Sequence, residues 1–195
     1  MNLTLKERVP SVRGATAIYS WNAQGLKSFF YRHNMVMNSS TLATAKLWGG
    51  YTNYKAGAMY FEFQNLDNPA DTPVYPAFDS SAGIEYYTGL QFSPNYDFLR
   101  VPVLIAPAVV ATVNGYLLTL YAIAPDTDVG FWAKPFSGLA NSVVIGGALV
   151  ATLDDTQSND VVLCRNYPAG TKVVKVDGEQ IGMTWNVEFL NPTES

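Results

Sequence analysis

From position 181 the chain reads Ile181-Gly182-Met183-Thr184-Trp185-Asn186-Val187-Glu188-Phe189, with an apolar residue at every second position. A period of two places Ile181, Met183, Trp185, Val187 and Phe189 on one face of a strand and Gly182, Thr184, Asn186 and Glu188 on the other. The same alternation sets Met59, Phe61 and Phe63 against Tyr60, Glu62 and Gln64, which predicts a second half-buried strand around Ala58–Gln64 with the polar set facing water. Shorter β-branched or aromatic runs at Ser28–Met37, Ser142–Thr152, Asp160–Arg165 and Thr171–Val176 add further strands. They are separated by turn-forming stretches such as Asp126-Thr127-Asp128, Asp154-Asp155, Tyr167-Pro168-Ala169-Gly170 and Asp177-Gly178. The expected fold is all-β: an antiparallel β-sandwich, jelly-roll-like, over residues 26–195.

The most apolar stretch, Val101–Ala124, fails as a membrane span. Pro102, Pro107 and Asn114-Gly115 interrupt it, and neither half reaches the ~18–20 apolar residues that a span requires. It reads instead as two strands joined at Asn114-Gly115, a strong hairpin signal. One segment has helical spacing, Ser39–Trp48, with Ser39 or Ser40 as the cap, Gly49-Gly50 as the stop, and Leu42, Ala45 and Trp48 on one side, with Ala43 and Leu47 alongside, as the stripe expected to cover the core. Residues 65–97 carry Pro69, Pro73, Pro76 and Pro94 among aromatics without a steady period, which predicts a long ordered loop. Residues 1–25 are expected to form an N-terminal arm, so removal of about the first twenty should leave a folded sandwich.

Composition narrows the function classes. The chain has 195 residues, a net charge of −4, 48% apolar and 13% aromatic residues, and only 14% charged residues, against about 25% in ordinary domains. Such a chain can bury a core, which excludes disorder for most of its length. It has no Lys/Arg-dense stripe, so nucleic acid is not an expected partner. The single cysteine, Cys164, reads as a small strand residue rather than a nucleophile. The opening Met1–Arg8 lacks the apolar run of a signal peptide, which predicts a product made and used without secretion through one.

Recognisable chemistry is sparse. His33 is the only histidine, which excludes a histidine metal cluster, and no Gly-x-Ser-x-Gly, P-loop or dinucleotide fingerprint occurs. Of the carboxylate pairs, Asp67/Asp71, Asp126/Asp128 and Asp154/Asp155 lie in turn contexts, leaving Glu179/Glu188 and a minor calcium option at Asp126/Asp128. No catalytic residue, cofactor or metal is therefore assigned. The expected interface residues are the arm cations Lys6, Arg8 and Arg13, which can meet acidic partner surfaces, and the aromatics Tyr86, Tyr87, Tyr96 and Trp132. Depleted charge with enriched aromatics points to a subunit of a larger assembly, with stacking on sugars as the alternative use of those rings.

Three stretches, in order, carry a resemblance. They are Asn34-Met35-Val36-Met37 with the helix ending at Gly49-Gly50; Asn114-Gly115-Tyr116 followed by Asn141–Val150; and Gly178–Phe189. Together they resemble small β-sandwich virion proteins of tailed bacteriophages. Such proteins often carry Gly-Arg where this chain has Ser39-Ser40-Thr41. The resemblance implies a non-enzymatic structural subunit, made in the host cytoplasm and built in several copies into the tail, neck or fibre-attachment region. Its partners would be copies of itself and other virion proteins, without nucleic acid or membrane. Capsid decoration, or binding of a host-surface glycan, is the alternative role.

Overall fold

In chain order the elements are β1 (Val12–Asn22), β2 (Gly25–Val36), α1 (Asn38–Trp48), a 3-10 turn (Thr52–Tyr54), β3 (Ala56–Asn65), β4 (Tyr96–Pro102), β5 (Val109–Thr112), β6 (Gly115–Ala124), β7 (Asn141–Ala151), β8 (Val161–Asn166), β9 (Val173–Val176) and β10 (Gln180–Leu190). The computed structural model describes residues 12–65, 96–104, 109–124, 141–153, 160–166, 173–176 and 178–191. The strands are antiparallel and form one open path, β4-β3-β7-β8-β2-β1-β10-β6-β5, with β9 added on β7. This is the all-β antiparallel fold that the alternating segments predict.

β2 turns the sheet over on itself. It pairs with β1 from Gly25 to Asn34 and then with β8 through Met35 and Val36, so one continuous strand serves both halves. The first half-sheet is β2-β1-β10-β6-β5; the second is β4-β3-β7-β8 with β9. Ile18, Leu120, Met183 and Trp185 from the first half share one buried cluster with Met59, Phe61, Leu149 and Leu163 from the second. Two sheet faces thus close on a common core, in which each large side chain contributes about 1.5–3 kcal/mol through loss of its apolar surface from water. Ser20 and Ser28 fasten one end: both hydroxyls donate to the Val174 carbonyl, at 3.0 and 3.2 Å, which ties β9 to β1 and β2.

The N-terminal arm expected over residues 1–25 is corrected from Val12 onward. β1 lies inside the sheet, laddered to β10 from Val12 to Trp21 and to β2 from Gly14 to Asn22. Its sequence hides this because the apolar alternation is inverted. Gly14, Thr16 and Ser20 are buried beside Ile18, while Tyr19 and Trp21 fall on the opposite, partly exposed face. Removing about twenty residues would extract most of a central strand, which argues against the expectation that the remainder stays folded.

The hairpin reading of Val101–Ala124 divides. Val101 and Pro102 end β4, paired with β3, while Leu104 makes a single antiparallel bridge to Tyr121 of β6 and Val109–Thr112 pairs with the start of β6. Pro102 is tolerated because β4 is at the end of the strand order and needs no second ladder. Thr112 faces Gly115, so Val113-Asn114 form the loop and the turn falls one residue before the Asn-Gly centre. β10 sets that position: a Cβ on Gly115 (φ +154°) would lie 1.9 Å from the Phe189 carbonyl oxygen.

α1 starts and ends in different ways. Its N-cap, Met37, is extended and offers no side-chain cap, so capping by Ser39 or Ser40 is corrected; Ser39 Oγ donates to the Val162 carbonyl and pins the helix to β8. At the other end Tyr51 N–H bonds the Lys46 carbonyl and Gly50 N–H the Leu47 carbonyl, both at 3.0 Å, around a left-handed Gly50 (φ +88°), a Schellman stop. Ser39 and Ala43 are the buried positions and Trp48 is 90% exposed, so the covering face centres on Ala43, at the margin of the expected stripe, and not on Leu42, Ala45 and Trp48. Small residues let the helix lie close over β8.

Candidate functional site

The expected interface residues separate. Lys6, Arg8, Tyr86, Tyr87 and Trp132 lie outside the described residues, as does most of the loop at 65–97 and the Asp67/Asp71, Asp126/Asp128 and Asp154/Asp155 pairs. Tyr96 opens β4 opposite Gln64. Arg13 is on β1, and its acidic partner belongs to its own chain: Nε donates to Glu188 Oε2 at 2.7 Å. That hydrogen bond and the neighbouring charge raise the guanidinium pKa.

The register defines what surrounds this pair. Across β2, β1, β10 and β6 the outward rows are Arg13–Glu188–Leu117, His33–Ala15–Asn186–Thr119, Tyr31–Ala17–Thr184–Tyr121 and Phe29–Tyr19–Gly182–Ile123. The two central strands carry small residues at Ala15, Ala17 and Gly182, whereas the flanking strands carry rings and long side chains. The result is a trough along the β1/β10 seam. At one end Tyr19 and Trp21 fill it, their ring centroids 5.4 Å apart, and Tyr19 lies so close over Gly182 that a Cβ there would meet its ring at 2.7 Å. At the other end an open groove of about 310 Å³ remains, lined by Arg13, Ala15, Tyr31, His33, Leu117, Asn186 and Glu188 among others. Thr119 Oγ1 donates to Asn186 Oδ1 at 2.8 Å, which fixes the amide and leaves its Nδ2 hydrogens to offer.

The edge of the same half-sheet is apolar. The strand order ends at β5, Val109-Val110-Ala111-Thr112, followed by Val113 in the turn. Val109 is 60% exposed, Val110 53% and Val113 97%. No lysine, proline or inward charge occurs from Val109 to Gly115 to discourage another strand from adding there.

The second half-sheet differs because its outer face is also buried. Tyr60, Glu62 and Gln64, expected on a wet face, are all under 4% exposed, which corrects the half-buried reading of β3. Opposite charges on neighbouring segments make this burial tolerable. Arg100 grips Asp160 in bidentate fashion, Nε to Oδ2 at 2.7 Å and Nη2 to Oδ1 at 3.1 Å, while Tyr60 Oη donates to Asp160 Oδ2 at 2.7 Å. Arg165 Nη1 lies 3.6 Å from Glu62 Oε1. Burial, then the Asp160 contact, pushes the Tyr60 phenol pKa upward. Burial opposes the charge on Arg100, but the hydrogen bonds and charge of Asp160 outweigh it and raise its pKa. Breaking such a pair from one side typically costs ~3–5 kcal/mol, so this network holds β3, β4 and the start of β8 in one arrangement. Its signal in the sequence is a lone charge inside a largely apolar strand at Glu62 and Arg165, and a charge set among apolar neighbours at Arg100.

The remaining candidates fall apart geometrically. Glu179 and Glu188 are nine positions apart along one extended segment. At ~3.3 Å per residue that is roughly 30 Å, far beyond the ~5–9.5 Å between glycosidase carboxylates. Glu179 Oε2 accepts from the Val176 N–H at 3.2 Å and braces the β9–β10 turn. Cys164 points into the core, where burial pushes its thiol up to about 12. Among the described residues no group of three or more His, Cys, Asp or Glu side chains is placed to hold a metal ion. Nor is any described helix long and apolar enough to cross a membrane. Comparisons of the chain with protein-family models, with curated proteins and with solved structures find no match.

Proposed function

We propose that this chain is a non-enzymatic structural subunit of a tailed-phage virion, assembled in several copies at the tail, neck or fibre-attachment region. Its partners are copies of itself and other virion proteins. The observation that carries the reading is the apolar edge at β5. A β-branched strand end with its outer hydrogen-bonding side unclaimed among the described strands favours addition of a strand from a neighbour. Support also comes from the order of the three resembling stretches, which fall at the β2–α1 junction, at the start of β6 followed by β7, and at β10.

A charge placed on the edge tests this. Val110→Lys adds a solvated ammonium to an exposed position, so the fold should change in stability by no more than ~0.5 kcal/mol. The wild-type protein should form oligomers by mass photometry and map inside phage particles by cross-linking through residues 109–116; the variant should remain monomeric and be excluded from particles. A wild-type protein that stays monomeric at high concentration and is absent from particles would refute the reading.

A further inference from the structure

We propose that the open end of the β1/β10 trough binds a neutral oligosaccharide. This site is separate from the β5 edge and does not depend on assembly through it. The groove has three properties that together suit a sugar. Ala15, small and 7% exposed, forms a low floor between His33 and Asn186 on the outward row of the sheet, and the groove lies above it. Tyr31, 55% exposed on the wall, presents a ring whose negative face suits the polarised C–H groups of a pyranose.

The polar groups are planar, already oriented and mixed in kind. Asn186, held by Thr119, has two amide donors to offer; Glu188, held by Arg13 Nε, retains Oε1 as an acceptor; and Arg13 keeps its terminal guanidinium donors. Adjacent donors and acceptors on planar groups match vicinal hydroxyls, each of which both gives and accepts a hydrogen bond. Because these groups are fixed before binding, little side-chain freedom is lost. Charge selects among saccharides. The Arg13 cation is paired with Glu188, so that pair brings no net charge to attract a uronate or sulfate. A volume of about 310 Å³ falls at the small end of ligand sites and suits one or two sugar rings, with the chain continuing over the sheet.

The test uses the full chain and saturation-transfer NMR with maltotetraose, cellotetraose and chitotetraose, with a heparin tetrasaccharide as the anionic comparison. At least one neutral tetrasaccharide should receive saturation through its ring C–H protons. Tyr31→Ala should weaken that binding about tenfold or more. Ala15→Phe, which fills the floor without removing a polar group, should abolish it, and Trp48→Ala, an exposed aromatic on α1, should leave it unchanged. Thermal unfolding checks each variant; because Tyr31 is exposed, its variant keeps the test decisive should Ala15→Phe fail to fold. No contact with any neutral tetrasaccharide, binding of heparin alone, or binding that survives Tyr31→Ala would overturn the proposal.

Discussion

Cys164 shows how one residue's position becomes a measurable property of the molecule. Its thiol is on the inward face of β8, and burial raises its pKa from an ordinary 9.0 to about 12. Below pH 9 both folded and unfolded chains hold the proton, and the group contributes no pH dependence. Between pH 9 and 12 the unfolded chain releases it while the folded chain keeps it, so stability falls as pH rises, by about 1.4 kcal/mol per pH unit for one proton. Tyr60, also raised, adds to the alkaline loss. Urea denaturation of wild type and Cys164→Ala from pH 8 to 11 isolates the thiol: the variant should start less stable and lose stability with a slope shallower by one proton. Equal slopes would mean that the thiol titrates normally. At this scale the sequence was readable for Cys164, whose apolar neighbours marked it as a strand residue. It misled at Glu62 and Gln64, since polarity in an alternating strand says which face a residue shares, not whether another layer covers that face.

Among the elements, the strands with apolar alternation were legible and the turn between β5 and β6 only partly so. Asn114-Gly115 announces a hairpin, but a two-residue shift in ladder pairing depends on a strand more than sixty positions away. β10 passes so near Gly115 that any side chain there must displace the Phe189 backbone, and Asn191 N–H closes the same corner on the Asn114 carbonyl at 2.7 Å. Gly115→Ala should therefore cost more than the ~1 kcal/mol of an ordinary glycine replacement, because backbone rather than a flexible side chain must move. Differential scanning calorimetry would measure the loss, and amide exchange should quicken at residues 109–118 and 187–191 before it does elsewhere. A variant as stable as wild type would show that the corner relaxes freely. α1 gives the complementary lesson: the glycine pair located its end correctly, whereas the covering face was misread because Ser39 and Ala43, not the large Trp48, meet β8. The trough was not legible at all. It arises from small residues on two strands that are distant in sequence and become a floor only when β1 and β10 pair.

Across the whole molecule, the decisive pairing is between the two ends of the described chain. Arg13 and Glu188 are 175 positions apart and share a rung, and β1 is the only described strand that joins β2 to β10. Without it the first half-sheet splits: β2 and β10 each lose a full ladder, Ile18 leaves the shared core, and the Ser20 hydroxyl no longer anchors β9. The lost strand also removes Arg13, Gly14 and Ala15 from the lining of the groove, and with Arg13 one member of its ion pair. Contacts of such sequence separation form only after a long loop has closed, so they stabilise the finished fold rather than any early fragment. A chain beginning at Gly25 should consequently lack cooperative thermal unfolding and dispersed amide resonances, and a synthetic Val12–Asn22 peptide added in trans should restore both by occupying the vacant place between β2 and β10. Retention of a cooperative transition by the shortened chain alone would show that the rest of the chain folds without β1 and that the strand merely docks between β2 and β10. Recovery on adding the peptide, but not on adding one with Ile18→Asp, would establish that the strand acts through the core it completes and not through its backbone ladder alone.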